Sequence, residues 1–473
     1  MENTPNAKNA NRLGWFIFFG CAIGVLLLGL LATSITERRA EKKTATLQII
    51  QPISEWESDN SKWGVNFPRE YGSWESTKQM DENTKYGGSG KRDYLADDPR
   101  LVVMWAGYVF SKEYGAPRGH HHAIEDVTGT KRVSAATRAS CWTCKSPDVP
   151  RMMNKLGGPA NFYKESFDHF RPEIKNPIGC ADCHNPKTMA LQISRPALIE
   201  AFQRQGKDIT KVSRQEMRSL VCAQCHVSYY FKDKVSSYLT FPWDDGLRAD
   251  DFEKYFFETV KPNPDFVNAI SGTPIFKTRH PDYEVFSQGV HAFRNVSCAD
   301  CHMPYKAEGG IKYTDHQVRS PLYNMANSCQ VCHRWSEKEI RDRVTSMQDK
   351  NREMLDQAAD SIYPAHIEIG EAMKLGATDA DLAKPRELLS KAQLWWDYVA
   401  SNNGMGFHAP QECARVLGRA IYLGNQYRME TQRVLAKRGV INPVTMPDIS
   451  TFEKAAAYTK PYADAQKAAA AKH

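Results

Sequence analysis

Between Cys141 and His333 the chain carries five Cys-x-x-Cys pairs, and nothing else in it restricts the fold so strongly. They are Cys141 with Cys144, Cys180 with Cys183, Cys222 with Cys225, Cys298 with Cys301, and Cys329 with Cys332. Ten of the twelve cysteines lie in these pairs, which leaves Cys21 and Cys413 and excludes an ordinary disulfide framework. Zinc is the natural competitor for an isolated pair, but tetrahedral zinc needs closed sets of four ligands. Four of the five pairs are followed directly by histidine: His184, His226, His302 and His333. That is the signature of covalent c-type haem attachment, in which the cysteines bond the porphyrin and the next residue ligates the iron. The intervals are uneven, so this is not a repeat array.

The exception is Cys141-Trp142-Thr143-Cys144-Lys145, where the iron ligand would be an amine. Lysine binds iron only when neutral, and from a reference pKa near 10.4 its deprotonation at pH 7 costs roughly 4–5 kcal/mol before the metal bond offsets it. That cost points to a haem set apart from four electron-carrying haems, with an open face for substrate; a drifted, unmodified pair is the bland alternative. The four ordinary sites, each with two axial ligands, need four further donors. The histidines outside the motifs are His120, His121, His122, His169, His280, His291, His316, His366, His408 and His473, more than the need.

The rest of the chain frames these sites. Leu13 to Thr33 is a 21-residue run without charge that as a helix would span about 30 Å, enough for a bilayer core. Lys8 and Arg12 before it, and Arg38, Arg39, Lys42 and Lys43 after it, leave orientation undecided by charge. Haem attachment takes place outside the cytoplasmic membrane and so puts the body on its periplasmic side. Residues 1–45 therefore read as an uncleaved membrane anchor; the alternative is a cleaved signal that releases a soluble periplasmic protein, but no small-x-small site follows the run. A net charge of +7 without a long basic tract gives no argument for nucleic acid. The expected fold is mainly α with little β: a multihaem cytochrome c domain organised around covalent haems over 46–340, long C-terminal helices over 341–446, and a polar tail over 447–473 that is either an exposed helix or frayed. Leu355, Ala358, Ala359 and Ile362 recur at helical spacing, as do Leu388, Ala392, Trp395, Trp396 and Val399, and then Cys413, Val416, Leu417 and Ala420.

With those features in place, the chain resembles the pentahaem cytochrome c nitrite reductases that form ammonia. The carriers are the Cys-Trp-Thr-Cys-Lys motif, the four Cys-x-x-Cys-His motifs in order, Pro117-Arg118-Gly119-His120, Cys225-His226-Val227-Ser228-Tyr229-Tyr230-Phe231, Phe241-Pro242-Trp243-Asp244-Asp245-Gly246, His280-Pro281, Tyr313-Thr314-Asp315-His316 and His408-Ala409-Pro410. The resemblance implies five covalent haems, Lys145 on the catalytic iron, and Arg132, Tyr229 and His280 lining its open face, with Arg138 as the fallback for Arg132. It implies His120 as distal ligand to the Cys222 haem, His316 to the Cys180 haem, His408 to the Cys298 haem and His291 to the Cys329 haem. It also implies nitrite as substrate, a homodimer formed through the C-terminal helices, and a membrane multihaem quinol-oxidising cytochrome or a soluble multihaem protein as electron donor. Another substrate on the same architecture, a non-catalytic electron wire and a nitrite or nitric oxide sensor are the competing functions; the lysine speaks against the wire, and five haems are needless for a sensor.

One departure stands out. Members of that family generally hold calcium beside the active site, with a carboxylate directly before the tyrosine and a glutamine directly before the histidine. Ser228 and Arg279 occupy those places here. Calcium wants several oxygen ligands, so this cage is inadequate. The expectation is a calcium-free site in which the Arg279 guanidinium donates to the carbonyls of Tyr229 and Lys277.

Overall fold

The computed structural model describes residues 7–44, 49–233 and 235–471; the side chains of 7–11, 13 and 37–44 lie outside the description, as does His473. Contacts divide the chain into two compact units, Met1–Pro52 and Ile53–His473. In the first, helix α1 (Ala7–Thr44) contains a segment, Gly14–Thr36, of mean hydropathy 2.5 that is long and apolar enough to cross a membrane. Its side chains, Trp15 through Leu31 and Cys21 among them, are exposed.

The second unit holds the sequence-expected 46–340, 341–446 and 447–473 stretches, from Ile53 onward, as one body. Helix supplies 55% of the structure and strand 5%, so the mainly α class holds. Strands occur only as three antiparallel pairs among the described residues: β1 (Tyr230–Phe231) with β2 (Leu239–Thr240), β3 (Phe266–Val267) with β4 (Pro274–Ile275), and β5 (Tyr305–Glu308) with β6 (Ile311–Thr314). Short helices carry the motifs; α2 (Pro196–Arg204) and α3 (Arg214–Ala223) lead into the third of them.

Three long helices follow: α4 (Glu337–Lys374), α5 (Asp379–Ala400) and α6 (Pro410–Ala436). Their starts are written locally. Ser336 and Glu339 cap α4 reciprocally, the Glu339 N–H donating to Ser336 Oγ at 3.3 Å and the Ser336 N–H to Glu339 Oε2 at 2.8 Å. Thr378 and Asp381 do the same for α5, at 3.2 and 3.0 Å. Pro410 occupies the first turn of α6, where its missing N–H costs nothing.

The three helices pack on one another and on the haem-motif region, burying Leu355, Ile362, Trp395, Trp396, Val399, Cys413 and Leu417. Leu388 is only half-buried and Leu389 is buried beside it, while Ala392, Trp395, Trp396 and Val399 keep the expected inward face. The C-terminal tail is not frayed over its described length: helix α7 (Phe452–Ala470), capped by Thr451, docks on the helix Arg100–Met104 and buries Ala455 and Thr459. Small side chains allow that close approach, and Gln466 Nε2 fixes it by donating to Val267 O at 2.8 Å.

Candidate haem cluster and active site

The motifs are tight turns: the first, second and fourth lie on short helices, the third ends the helix Arg214–Ala223, and the fifth is a hydrogen-bonded turn outside any helix. In three of them the histidine N–H reaches the carbonyl of the first cysteine at 2.9 Å: His184 to Cys180, His226 to Cys222 and His333 to Cys329. The lysine motif is wound tighter, and the Lys145 N–H bonds to Trp142 O, three residues back, at 2.9 Å. Two motifs share the sequence Cys-Ala-Asp-Cys-His, and their aspartates cap the turn: Asp182 Oδ2 accepts from Gly179 N–H at 2.8 Å, Asp300 Oδ2 from Ser297 N–H at 2.7 Å. The motifs are clustered. Cys144 and Cys225 are within hydrogen-bond reach of each other, as are Cys222 and Cys298; Cys183 lies close enough to feel Cys225, and Cys301 to feel Cys329. The order in space is therefore first, third, fourth, fifth, with the second beside the third.

The histidines face one another in pairs. Ring centroids are 6.3 Å apart for His184 and His316, 6.2 Å for His302 and His408, and 6.3 Å for His291 and His333. Two imidazoles on one metal, each with a metal–nitrogen bond of about 2.0 Å and about 1.2 Å more from nitrogen to ring centre, have centroids about 6.4 Å apart. The residues thus fit iron between each pair. His120 is near enough to His226 for that ring to act on it. Hydrogen bonds aim the rings through Nδ1: His184 to Met189 O at 2.9 Å, His302 to Arg319 O at 3.0 Å, His316 to Thr314 O at 2.8 Å and His226 to Asp282 Oδ2 at 3.1 Å. Each leaves Nε2 for a metal. Burial pushes His120 and His302 down to about 4, and lowers His184, His291, His316 and His408, keeping these rings neutral as ligands must be. The ring of His226 goes the other way: burial opposes its charge, but Asp282 outweighs burial and raises it.

The three adjacent histidines separate in function. His121 packs against Trp74 with centroids 5.6 Å apart, and His122 bonds to Glu125 and Lys78 O, both at 3.0 Å. His366 is a satisfied core residue between Ser271 and Gln393, each at 2.8 Å, and His169 sits at the surface near Glu165.

His280, Tyr229 and Arg132 lie by the first motif: His280 is close enough to Lys145 to feel its charge, Tyr229 is close to Cys141, Cys144 and Arg132, and Arg132 is close to Cys141. His280 is pushed down to about 3 by burial, with Lys145 among the charges that lower it further. Tyr229 is raised to about 12 by burial, against the pull of Arg279 and Arg132. Arg132 rests on the Phe110 ring at 4.8 Å and donates from Nε to Thr130 Oγ1 at 3.1 Å. Arg138 turns away and donates to Lys164 O at 2.8 Å.

Arg279 is almost fully buried, at a left-handed φ of 67°, a conformation that costs a non-glycine residue about 1–3 kcal/mol and persists only when its contacts hold it. Its Nη1 donates to Tyr229 O at 2.6 Å and Lys277 O at 2.8 Å, Nη2 pairs with Asp265, and the guanidinium lies 4.7 Å from the Tyr229 ring centre. Burial opposes its charge, but Asp265 outweighs burial and holds it protonated. Lys277 beside it is sealed against Asp397 at 2.6 Å. Ser228 Oγ has no hydrogen-bond partner, and its N–H donates to Glu284 Oε1 at 2.8 Å. Among the described residues no group of three or more His, Cys, Asp or Glu is placed to hold a free metal ion.

Sequence reasoning passed over Asp265, Asp282, Asp397, Glu284 and Arg195. Only Asp182 and Asp300 carried a visible mark, the repeated Cys-Ala-Asp-Cys-His.

A helical chain that gathers five paired-cysteine turns, and sets opposed histidines at the spacing of one iron, is a multihaem c-type cytochrome. The model of the cytochrome c552 family matches residues 59–473, and the chain belongs to that family. Cytochrome c-552 of Parabacteroides distasonis is 49% identical over 452 residues, covering 94% of this chain and 91% of that one. The same protein of Desulfotalea psychrophila is 43% identical over 465 residues, covering 94% and 89%. Among solved structures, the catalytic subunit of cytochrome c nitrite reductase from Desulfovibrio desulfuricans, described with two calcium sites, superposes with a TM-score of 0.77 at 30% identity, covering 83% of this chain and 92% of that one.

Proposed function

We propose that the chain is an ammonia-forming nitrite reductase with five covalent haems, four held by histidine pairs and one by Lys145. The observation that supports the reading is the odd motif: the single lysine among the five has His280 within reach of its charge and Tyr229 beside its two cysteines, while the motif histidines of the other four sites are each set near a second histidine. The ligand pairs are His184 with His316, His226 with His120, His302 with His408 and His333 with His291.

Nitrite needs six electrons and eight protons to become ammonium and two waters. The haem on Lys145 supplies a coordination site for nitrite and the route by which electrons reach it. Everything else falls to side chains. Arg132 pairs with the anion, and Arg138, turned to Lys164 O, is no substitute. His280 enters as a neutral ring and hydrogen-bonds the departing oxygen, passing protons to it. Tyr229 stays a phenol at neutral pH and orients the substrate by donation. Arg279 holds Tyr229 through its carbonyl and ring, so the site works without calcium, unlike the Desulfovibrio desulfuricans protein with its two calcium sites. The residues here do not fit that ion, since the carbonyls of Tyr229 and Lys277 are engaged by a guanidinium.

The setting follows from the same reading. The apolar helix anchors the protein to the cytoplasmic membrane with its body in the periplasm, or is removed as a signal. A membrane quinol-oxidising or soluble multihaem cytochrome supplies electrons. Exposed Tyr422 and Met429, two turns apart on α6, suit a homodimer contact. The deciding experiment is ammonium production from nitrite by the reduced protein, together with a high-spin ferric signal at rest from one haem in five. Complete low-spin saturation, or no ammonium, defeats the proposal.

A further inference from the structure

Residues inside three of the motifs are tied together around one buried arginine, whose guanidinium bridges the first two and whose backbone N–H reaches the third. Arg195, at the start of α2, is 1% exposed; its Nε donates to Thr143 O at 2.5 Å and its Nη2 to Ser146 O at 2.8 Å, the two carbonyls that bracket Lys145. Nη1 donates to Ser194 Oγ at 2.6 Å, and Nη2 pairs with Asp182, which lies between Cys180 and Cys183 and is itself sealed. Gln224, inside the third motif, closes the network by accepting from the Arg195 N–H at 3.2 Å and donating to Asp182 O at 2.9 Å. Burial opposes the charge on both partners, raising the Asp182 carboxyl, and their direct contact is what favours the ionised pair. A control is built into the chain: the other Cys-Ala-Asp-Cys-His motif pairs Asp300 with Arg218 at 2.8 Å, but that carboxylate is 33% exposed.

The ion pair therefore has a direction. Its positive end sits on the lysine motif and its negative end inside the second motif, and both are sealed from bulk solvent, so the field is weakly screened. We propose that the Arg195–Asp182 pair sets the redox step between the second site and the Lys145 site, favouring an electron on the latter, and that Arg195 is the positioning residue for Lys145. This rests on the reading that both motifs hold haem. In the step concerned, one electron from an external one-electron donor protein leaves the second site, which is oxidised, and reduces the first by way of the third, which lies beside both; no bond or proton changes. A partly solvated pair such as Arg218–Asp300 exerts far less of the same effect.

The test is spectroelectrochemistry of the full haem-loaded protein, following the high-spin and low-spin signals separately. In Arg195→Gln/Asp182→Asn the equilibrium of one electron between the two sites is expected to move at least tenfold toward the second, 59 mV for one electron. Asp300→Asn should move its own site less than threefold. A double variant whose potential gap stays within threefold of the wild type overturns the proposal, as does an equal shift from Asp300→Asn. Should the double variant fail to mature, Asp182→Asn alone leaves the guanidinium uncompensated and should raise both potentials; unmoved potentials there overturn the proposal equally. Arg195→Lys is expected to keep the direction of the field but disturb the high-spin signal, since an ammonium cannot span both carbonyls; an unaltered signal removes the positioning role. A wild-type protein without haem at Lys145 would instead defeat the reading beneath it.

Discussion

Replacing Arg279 with glutamine puts back the residue expected beside a calcium ion while removing the guanidinium. Asp265, whose side chain is 9% exposed, would lose its charge partner, and stranding one member of a buried ion pair costs about 3–5 kcal/mol. The carbonyls of Tyr229 and Lys277 lose charged donors at 2.6 and 2.8 Å, and a glutamine amide reaches only one of them, adding about 1 kcal/mol. The expected loss for Arg279→Gln is thus about 4–6 kcal/mol, with a severe fall in nitrite turnover as Tyr229 loosens. Asp265→Asn added to it should recover most of the stability, because no carboxylate remains to be stranded. Ser228→Glu with Arg279→Gln should acquire calcium-dependent turnover. The assays are guanidinium unfolding followed by haem absorbance, elemental analysis for calcium, and turnover with and without chelator. A single variant within about 1 kcal/mol of wild type would refute the stability reasoning. Stoichiometric calcium in the wild type, with activity lost on chelation, would refute the substitution of arginine for the ion.

Lys145→His should leave a folded five-haem protein with little nitrite turnover, checked by haem quantitation and ammonium assay; full activity would remove any special role for the amine. Arg132→Ala should raise KM and lower kcat, His280→Asn chiefly lower kcat, and Arg138→Ala change neither, so a kinetic loss confined to Arg138→Ala would relocate the anion site. The carboxyl of Glu284, although Ser228 N–H and Trp243 Nε1–H donate to it, is raised to about 8 by burial, above a reference near 4.3. The native state then keeps a proton that the unfolded chain releases, so this group's contribution is whole below about pH 4 and is lost as pH rises toward about 8. Glu284→Gln, which keeps the acceptor, should fall less steeply in stability from pH 5 to 8 than the wild type, and parallel slopes in paired unfolding series would refute the assignment.

What the chain's order of residues determined by itself was chemistry that is local in sequence. A cysteine pair and its following residue lie on one helical turn, so the attachment motifs, the odd lysine and the demand for partner histidines could be read without a fold. Caps such as Ser336 with Glu339 and the proline after His408-Ala409 are equally local, and with the apolar periodicity they announce the long helices. The Arg279 contacts were foreseeable because a departure at a known place has few physical remedies. The motifs by themselves left the histidine pairing open and only the family resemblance named it; the tertiary structure is what brings His316 to His184 and His408 to His302 across more than a hundred residues of chain. It alone placed Asp265 under Arg279, Asp282 on His226 and Arg195 between two motifs, because an isolated charged residue carries no sign of its partner until the fold excludes water around both. It also buried Leu389 more deeply than Leu388 on α5 and docked α7 on the body, outcomes set by the packing of neighbouring surfaces and not by the segment's own pattern.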